Sequence, residues 1–352
     1  MISVLTPHVG IAGGVKSLAT HVMLLRQLGE EAWLINCGEP RDPWCRALSE
    51  ARPYTISWSE YRRDHATDDG WVLVPDAGLT MLRSQIAQAR GDRVLFALGW
   101  SYVLDYLDPK RWRSDRVFEA PSRWQLPLRK RWVRQWQRTL ANDGFAAALA
   151  NSTFTRQWLC ERVDYDPVVV PSGIDGEIFF QNPTVRKPGQ ILVVGRKGAE
   201  EANRAMAALS ESPSIRCVQA IDLDESEMAF AYQSADILLT FGREEGLPRV
   251  VLEAMSCGCA VVGYDGGGGR EFMHHGRSAL VAREAGDVVR LARELMADPR
   301  LKERIREGGH KEATRYTLAA QRDALASALA LLRAARARGT LSLEHPLREI
   351  CR

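Results

Sequence analysis

The sequence predicts an α/β protein made of two parallel-sheet domains followed by C-terminal helices. Short apolar, β-branched runs alternate with segments in which apolar residues recur every three or four positions, a pattern typical of alternating strands and helices. This alternation favours parallel sheets with helices on both faces. The length of 352 residues also exceeds the roughly 250–300 residues at which single cores stop growing, so two domains are expected.

The first domain is predicted to span residues 1–183. It opens with the strand ISVLT (2–6), a glycine-rich turn and a helical pattern that starts at GGVKSLATH. Four further apolar runs predict strands later in this domain, at residues 32–37, 71–75, 93–99 and 145–152.

A segment rich in proline and glycine, residues 168–189, is typical of a connection between domains. The second domain is predicted to span residues 184–320, and residues 321–352 form a C-terminal helix and tail. Helices are predicted near 200–210 and 225–234, and three more helical patterns run from about 284 to 338. Strands are predicted at residues 190–195, 215–220, 236–242 and 260–265.

The composition excludes several classes of protein. The content of 45% hydrophobic and 26% charged residues is that of a globular protein, and a net charge of +3 gives no global attraction to nucleic acid. Seven scattered cysteines favour a reducing compartment, and we interpret Cys257 and Cys259 as structural thiols because no second Cys/His pair lies at metal-binding spacing. The segment MISVLTP (1–7) is predicted to start a strand rather than a signal peptide, and the sequence contains no run of about 18 apolar residues.

In each predicted domain a glycine-rich turn follows the first strand. In HVGIAGGVKS (8–17) the amides of Gly13 and Gly14 could bind a phosphate, or the segment is a tight turn without a ligand. Its spacing matches neither G-x-G-x-x-G nor the P-loop. In VVGRKGAEE (193–201) Arg196 and Lys197 could clamp a diphosphate, or they form a solvated basic turn.

A third turn holds two carboxylates, in the segment EEGLPRVVLE (244–253). Glu245 is predicted in the loop and Glu253 inside the following helix, with Pro248 at the first helical position and the amides of Gly246 and Leu247 between the two carboxylates. An ionised carboxylate can accept hydrogen bonds from two sugar hydroxyls, although such a pair is more often a helix cap and a surface charge.

The longer segment EEGLPRVVLEAMSCGCAVVGYDGGGGREF (244–272) resembles the E-x7-E signature of glycosyltransferase family 4, whose members are retaining, sugar-nucleotide-dependent enzymes of the GT-B fold. Other pieces occur in the family's order, namely GGV near the N-terminus, VVVPSGID (168–175), Gly-Arg at 195–196 and Ser-Ala-Asp at 234–236. The resemblance covers most of residues 1–330 and is strongest over about 190–290. It implies two Rossmann-like domains facing a central cleft, an acceptor-binding domain first and a nucleotide-sugar-binding domain second, with the C-terminal helices crossing back to the first domain.

The resemblance also implies roles for individual residues. Glu253 would bind the ribose, Glu245 the hydroxyls of the transferred sugar, and Arg196 with Lys197 the charge of the departing diphosphate. Glu245, Arg196 and Lys197 are thus the implied catalytic residues. The remaining donor-binding residues would be Gly13, Gly14, Gly246, Leu247, Gly267 and Gly268.

Some features depart from the family's pattern and keep an alternative open. Arg196, Lys197 and Gly198 are contiguous, only about forty residues separate this turn from the Ser-Ala-Asp segment, and Trp100 stands where many relatives have a histidine. The alternative is an inactive GT-B relative that binds nucleotide or glycan.

Neither a metal nor a cofactor is expected, and the nucleotide-diphosphate sugar is the donor substrate. The segment Asp222-Leu-Asp224 mimics the metal-binding D-x-D of another glycosyltransferase fold. It precedes a helical pattern, however, so that Asp224 or Ser226 is better interpreted as a helix cap.

Residues 123–138, RWQLPLRKRWVRQWQR, interleave basic residues with tryptophan. This pattern suits an anionic membrane surface that carries lipid-linked acceptors, an anionic glycan or, less well, nucleic acid. An amphipathic helix with buried tryptophans explains it equally well. On the membrane interpretation, the family resemblance implies a cytoplasmic enzyme, peripheral on the inner face of the membrane, in bacterial-type surface polysaccharide or glycolipid synthesis. The candidate acceptor or membrane residues are Arg129, Lys130, Arg131, Trp132, Arg134 and Trp136.

Overall fold

The computed structural model describes residues 1–99, 144–163, 166–195, 197–284 and 286–341. The chain divides into two compact units, one formed by residues 1–171 with 322–352 and the other by residues 172–321.

The first unit contains a seven-stranded, wholly parallel sheet in the order β3-β2-β1-β4-β5-β6-β7. Its strands are β1 (Ile2–Thr6), β2 (Ala32–Asn36), β3 (Thr55–Ser57), β4 (Trp71–Pro75), β5 (Asp92–Ala97), β6 (Phe145–Ala150) and β7 (Val168–Val169). Its helices are α1 (Gly13–Gln27), α2 (Arg46–Ala51), α3 (Trp58–Glu60), α4 (Gly78–Met81), α5 (Arg83–Gln88) and α6 (Thr153–Val163), with a 3-10 turn at Arg52–Tyr54 and a π turn at Tyr61–His65.

Both faces of this sheet are covered. All five residues of β1 and of β4 are buried, as expected for central strands of a parallel sheet. Alternate residues of β1 enter two separate cores, Val4 on one face and Leu5 on the other.

A long C-terminal helix, α12 (Leu318–Ala337), contributes to the core on one of these faces. Leu325, Leu329 and Leu332 are buried in the same core as Ile2 and Val94. Polar contacts fix the end of the helix: Arg336 pairs with Asp92 and lies 3.7 Å from the centre of the Trp71 ring, and Arg333 pairs with Glu30. Residues 322–337 are therefore an integral part of the first unit.

The second unit contains a five-stranded parallel sheet in the order β12-β11-β10-β8-β9. Its strands are β8 (Gln190–Val194), β9 (Arg216–Gln219), β10 (Ile237–Thr240), β11 (Ala260–Gly263) and β12 (Leu280–Val281). Its helices are α7 (Ala199–Ser210), α8 (Glu225–Ser234), α9 (Arg249–Ser256), α10 (Asp287–Ala297) and α11 (Pro299–Ala313), with a 3-10 turn at Gly268–Glu271.

Buried charge connects helix α11 to this sheet. Asp236, which precedes β10 and is buried, pairs with Lys302 and with Arg306, each at 2.6 Å, and accepts a hydrogen bond from the amide of Gly189. The guanidinium of Arg306 also donates to the carbonyl of Gly258. One carboxylate thus joins a strand, a loop and a helix that are far apart in sequence.

The interpretation of the two cysteines as structural thiols agrees with their positions. Cys257 and Cys259 are free and buried in the core, where burial raises the pKa of the Cys259 thiol to about 12. A thiol with so high a pKa stays protonated at neutral pH.

Within the described parts of the chain, no helix combines the length and the apolar character needed to span a bilayer.

Candidate active site

The candidate active site lies in the second unit, at the carboxyl ends of three adjacent parallel strands, β8, β10 and β11. A glycine-containing loop follows each strand. We call them the β8 loop (195–198, of which residue 196 is not described), the β10 loop (241–248) and the β11 loop (264–267). Since the carboxyl ends of parallel strands share one edge, the three loops lie side by side where ligands bind in open α/β sheets.

An ion pair joins the β8 and β10 loops. The ammonium of Lys197 lies 2.9 Å from Glu245 Oε2 and donates a hydrogen bond to the carbonyl of Glu244, also at 2.9 Å. Gly198 allows this approach: its φ is +83°, and a Cβ there would lie 2.9 Å from Phe241. The structure therefore brings together two of the three residues to which the sequence assigned catalysis.

The backbone of the β10 loop binds the β11 loop and Gly268, the first residue of the 3-10 turn that follows it. The amide of Glu245 donates to the carbonyl of Gly266 at 2.8 Å, and the amide of Gly268 donates to the carbonyl of Glu245 at 3.0 Å. The approach is so close that a Cβ on Gly268 would lie 1.7 Å from the carbonyl oxygen of Gly246. The glycine cluster thus serves first to let two backbones meet.

Glu253 lies in α9, one residue nearer the start of the helix than the sequence suggested, because Pro248 is the N-cap rather than the first helical residue. Its carboxylate is buried and lies 3.7 Å from the guanidinium of Arg249. Burial, and secondarily the negative charge of Glu253, raises the pKa of Tyr232 well above its ordinary value. The side chain of Leu247 is buried in the core beside α9, so Leu247 can offer a ligand its main chain only.

A second cluster, which the sequence analysis missed, lies beside these loops. Arg243, in the β10 loop, pairs with Glu201 at 3.1 Å and lies 3.8 Å from the centre of the Tyr264 ring. The Tyr264 hydroxyl hydrogen-bonds Glu201 and lies 3.1 Å from the carbonyl of Glu284. Each residue follows a strand or begins a helix, but no local pattern indicates that they meet.

Residues 180–298, which contain all three loops, match the family model described as glycosyl transferases, group 1. Solved structures extend the likeness over almost the whole chain. Sucrose-phosphate synthase from Thermosynechococcus elongatus aligns with a TM-score of 0.69 at 14% identity, covering 95% of this chain and 99% of that one. The chain is a glycosyltransferase with the GT-B fold.

Two further structures are similar to this glycosyltransferase. Anabaena HepE in complex with UDP-glucose has a TM-score of 0.68 at 14% identity, over 94% of this chain and 99% of that one. The pneumococcal O-GlcNAc transferase GtfA in complex with UDP and GlcNAc has a TM-score of 0.64 at 10% identity, over 93% and 99%. No curated protein is significantly similar to the glycosyltransferase in sequence.

The other predicted site residues of the glycosyltransferase fall in two groups. Gly13 and Gly14 lie in the first unit, where they begin α1 after β1; a Cβ on Gly13 would meet no atom within 4 Å, and one on Gly14 would touch only Leu98. Outside the described residues lie Arg196 and the whole predicted acceptor surface, Arg129, Lys130, Arg131, Trp132, Arg134 and Trp136.

Asp224 caps helix α8, which confirms the interpretation from the sequence. Its side chain accepts from the amide of Glu227, and the Glu227 side chain accepts from the amide of Asp224, so the two form a capping box. In the portion of the chain with assigned positions, no three His, Cys, Asp or Glu side chains are grouped so that they could hold a metal ion.

Replacing Gly268 with alanine should impair the glycosyltransferase, because the new Cβ would force apart the backbones that join the β10 and β11 loops. We expect about a tenfold lower rate of sugar transfer, since small displacements of positioned groups cost rate steeply. Gly176→Ala is the matched control, as a Cβ there meets nothing within 4 Å. Steady-state rates of the two variants provide the measurement, and equal rates would contradict the geometric argument.

Proposed function

We propose that this glycosyltransferase moves a sugar from a nucleoside-diphosphate sugar to a glycan or lipid-linked acceptor, with retention of anomeric configuration. The observation that carries the proposal is the 2.9 Å contact between Lys197 and Glu245 at the shared edge of β8 and β10, against the bare backbone of residues 266–268. An ammonium beside a carboxylate suits a donor with an anionic diphosphate and a sugar rich in hydroxyls.

In this proposal the groups divide the donor between them. Glu253 binds the ribose hydroxyls, Glu245 accepts hydrogen bonds from the transferred sugar, and Lys197 with Arg196 offsets the charge that develops on the departing diphosphate. The leaving phosphate takes the proton of the acceptor hydroxyl on the same face of the sugar, as the family resemblance suggests. The protein then contributes positioning and electrostatic stabilisation rather than a nucleophile.

The pair between Lys197 and Glu245 adds a detail to this scheme. In the structure the ammonium is half-exposed and already bound to Glu245. A donor diphosphate would compete for that ammonium, so we propose that Lys197 orients Glu245 before the donor binds and is shared with the diphosphate afterwards.

Two similar structures, HepE in complex with UDP-glucose and GtfA in complex with UDP and GlcNAc, support UDP-sugars as the first donors to test. We expect a nucleoside diphosphate at about 100 times its Kd to stabilise the folded protein by about 2.7 kcal/mol, which a thermal-shift screen detects. At least one donor of a sugar-nucleotide panel should then be turned over, with and without EDTA, since we propose neither a metal nor a cofactor. Binding without turnover of any donor would favour the alternative of an inactive GT-B relative.

For the acceptor we propose a role for the basic, tryptophan-containing residues 129–136 at the inner face of an anionic membrane, in surface polysaccharide or glycolipid synthesis by a cytoplasmic enzyme. The support is sequence composition, because each basic residue near an anionic surface contributes about 1 kcal/mol to binding. Neutralising Arg129, Lys130, Arg131 and Arg134 together should abolish co-sedimentation with vesicles that contain phosphatidylserine. Equal binding by the wild type and this variant would rule out the membrane role.

A further inference from the structure

Two ion pairs of opposite polarity join the β8 loop and the start of α7 to the β10 loop. Lys197 pairs with Glu245, and one helical turn further along Glu201 pairs with Arg243. Along the chain a cation precedes an anion in both segments, Lys197 before Glu201 and Arg243 before Glu245. The first charge of each segment pairs with the second charge of the other. A shift of either segment would bring like charges together, so the two pairs specify one alignment of the loops.

Tyr264 extends this arrangement to the β11 loop. Its side chain is 5% exposed, its ring lies under the Arg243 guanidinium, and its hydroxyl hydrogen-bonds Glu201. Burial, together with the hydrogen bond to Glu201, raises the pKa of Tyr264 above its ordinary value, so the hydroxyl stays protonated and remains a donor at neutral pH. Hydrogen bonds to charged groups and cation–π contacts are among the stronger polar interactions at partly buried positions.

We infer that Arg243, Tyr264 and Glu201 are positioning residues that fix the β10 loop, so that Glu245 meets Lys197 and faces the transferred sugar. None of the three is among the groups to which the proposed function assigns contact with the donor. Their effect on catalysis rests on that proposed function, but their effect on the loop does not.

The proposed division of the donor gives this inference a specific signature. Glu253, the proposed ribose ligand, lies in α9 and is held by Arg249 within the same helix, so it does not depend on the cluster around Tyr264. Loosening the β10 loop should therefore impair handling of the sugar while nucleotide binding is kept.

The test uses the full chain with Tyr264→Phe, which removes the hydroxyl and keeps the ring, and with Glu201→Gln. Glu200→Gln is the matched control: it makes the same change one residue earlier, at a side chain that is 86% exposed. We expect Tyr264→Phe and Glu201→Gln to lower kcat by about tenfold, with the Kd for UDP unchanged within about twofold. Hydrogen–deuterium exchange should become faster in peptides covering 241–248 and 264–268 only, and the control should match the wild type in all three measurements.

A conservative substitution adds a rescue. Arg243→Lys keeps the charge opposite Glu201 but loses the planar stacking, so its kcat should lie between those of the wild type and Arg243→Gln. An unchanged kcat in Tyr264→Phe would overturn the inference, as would a parallel loss of UDP affinity and thermal stability, which would indicate a merely structural role. If the wild type turns over no donor, the proposed function fails, and hydrogen exchange alone decides: unchanged exchange in 241–248 overturns the inference.

Discussion

Replacing Glu245 with alanine is expected to lower kcat for sugar transfer by about 100-fold, equivalent to about 2.7 kcal/mol of transition-state stabilisation. The substitution removes the carboxylate that binds Lys197 and, in the proposed mechanism, the sugar hydroxyls. It leaves the backbone bonds of residue 245 to Gly266 and Gly268 in place. The variant therefore tests the side chain alone, and steady-state kinetics with the best donor of the panel measure it.

Glu244→Ala is the matched control for this prediction, because residue 244 binds Lys197 through its main-chain carbonyl, which the substitution keeps. We expect its kcat to stay within about threefold of the wild type. A Glu245→Ala enzyme as active as Glu244→Ala would show that the carboxylate at 245 has no part in transfer.

Replacing Asp236 with alanine should lower the free energy of unfolding of the second unit by about 3–5 kcal/mol, the usual result of removing one partner from a buried ion pair. The side chain of Asp236 is 5% exposed, and its loss would leave Lys302 and Arg306 without their shared carboxylate in a mostly buried place. Because the chain has two units, a single unfolding midpoint does not report this quantity. Amide hydrogen exchange in β8 and β10 reports the free energy of unfolding of the second unit. We expect this exchange to be at least about 100-fold faster in Asp236→Ala than in the wild type.

The control for Asp236→Ala is Glu211→Ala in the same unit. Glu211 is 78% exposed and lies 3.7 Å from Arg293, and exposed pairs of this kind contribute about 0–1 kcal/mol. Similar exchange rates in the two variants would contradict a structural role for the buried carboxylate.

Regular structure was predictable from the sequence wherever apolar residues recur over several positions. The runs at 32–37, 71–75, 190–195 and 260–265 each contain an observed strand, and the GT-B fold implied by the resemblance is confirmed. The strands β3, β7 and β12 were missed. These strands lie at the edges of their sheets and have only two or three residues, too few for an alternation of apolar and polar residues to be visible in the sequence.

The sequence indicated several residues of the candidate site but not the contacts between them. The spacing of Glu245 and Glu253 placed one in a loop and the other in a helix, as observed. Three contacts depend on the strand order β11, β10, β8. They are the ion pair of Lys197 with Glu245, the close approach of Gly268 to the backbone of Gly246, and the hydrogen bond of Tyr264 to Glu201. Sheet order is a property of the tertiary structure, so no local pattern could specify these pairs.

The position of α12 has a consequence for biosynthesis. The leucines of residues 322–337 complete a core that begins with Ile2 and Val4 in the first strand. A ribosome makes β1 before residues 172–321 and the core leucines of this helix after them. The face of the first sheet on which α12 packs thus stays without that helix while residues 172–321 are made, and the nascent chain must keep the exposed part of that face from aggregating until α12 emerges.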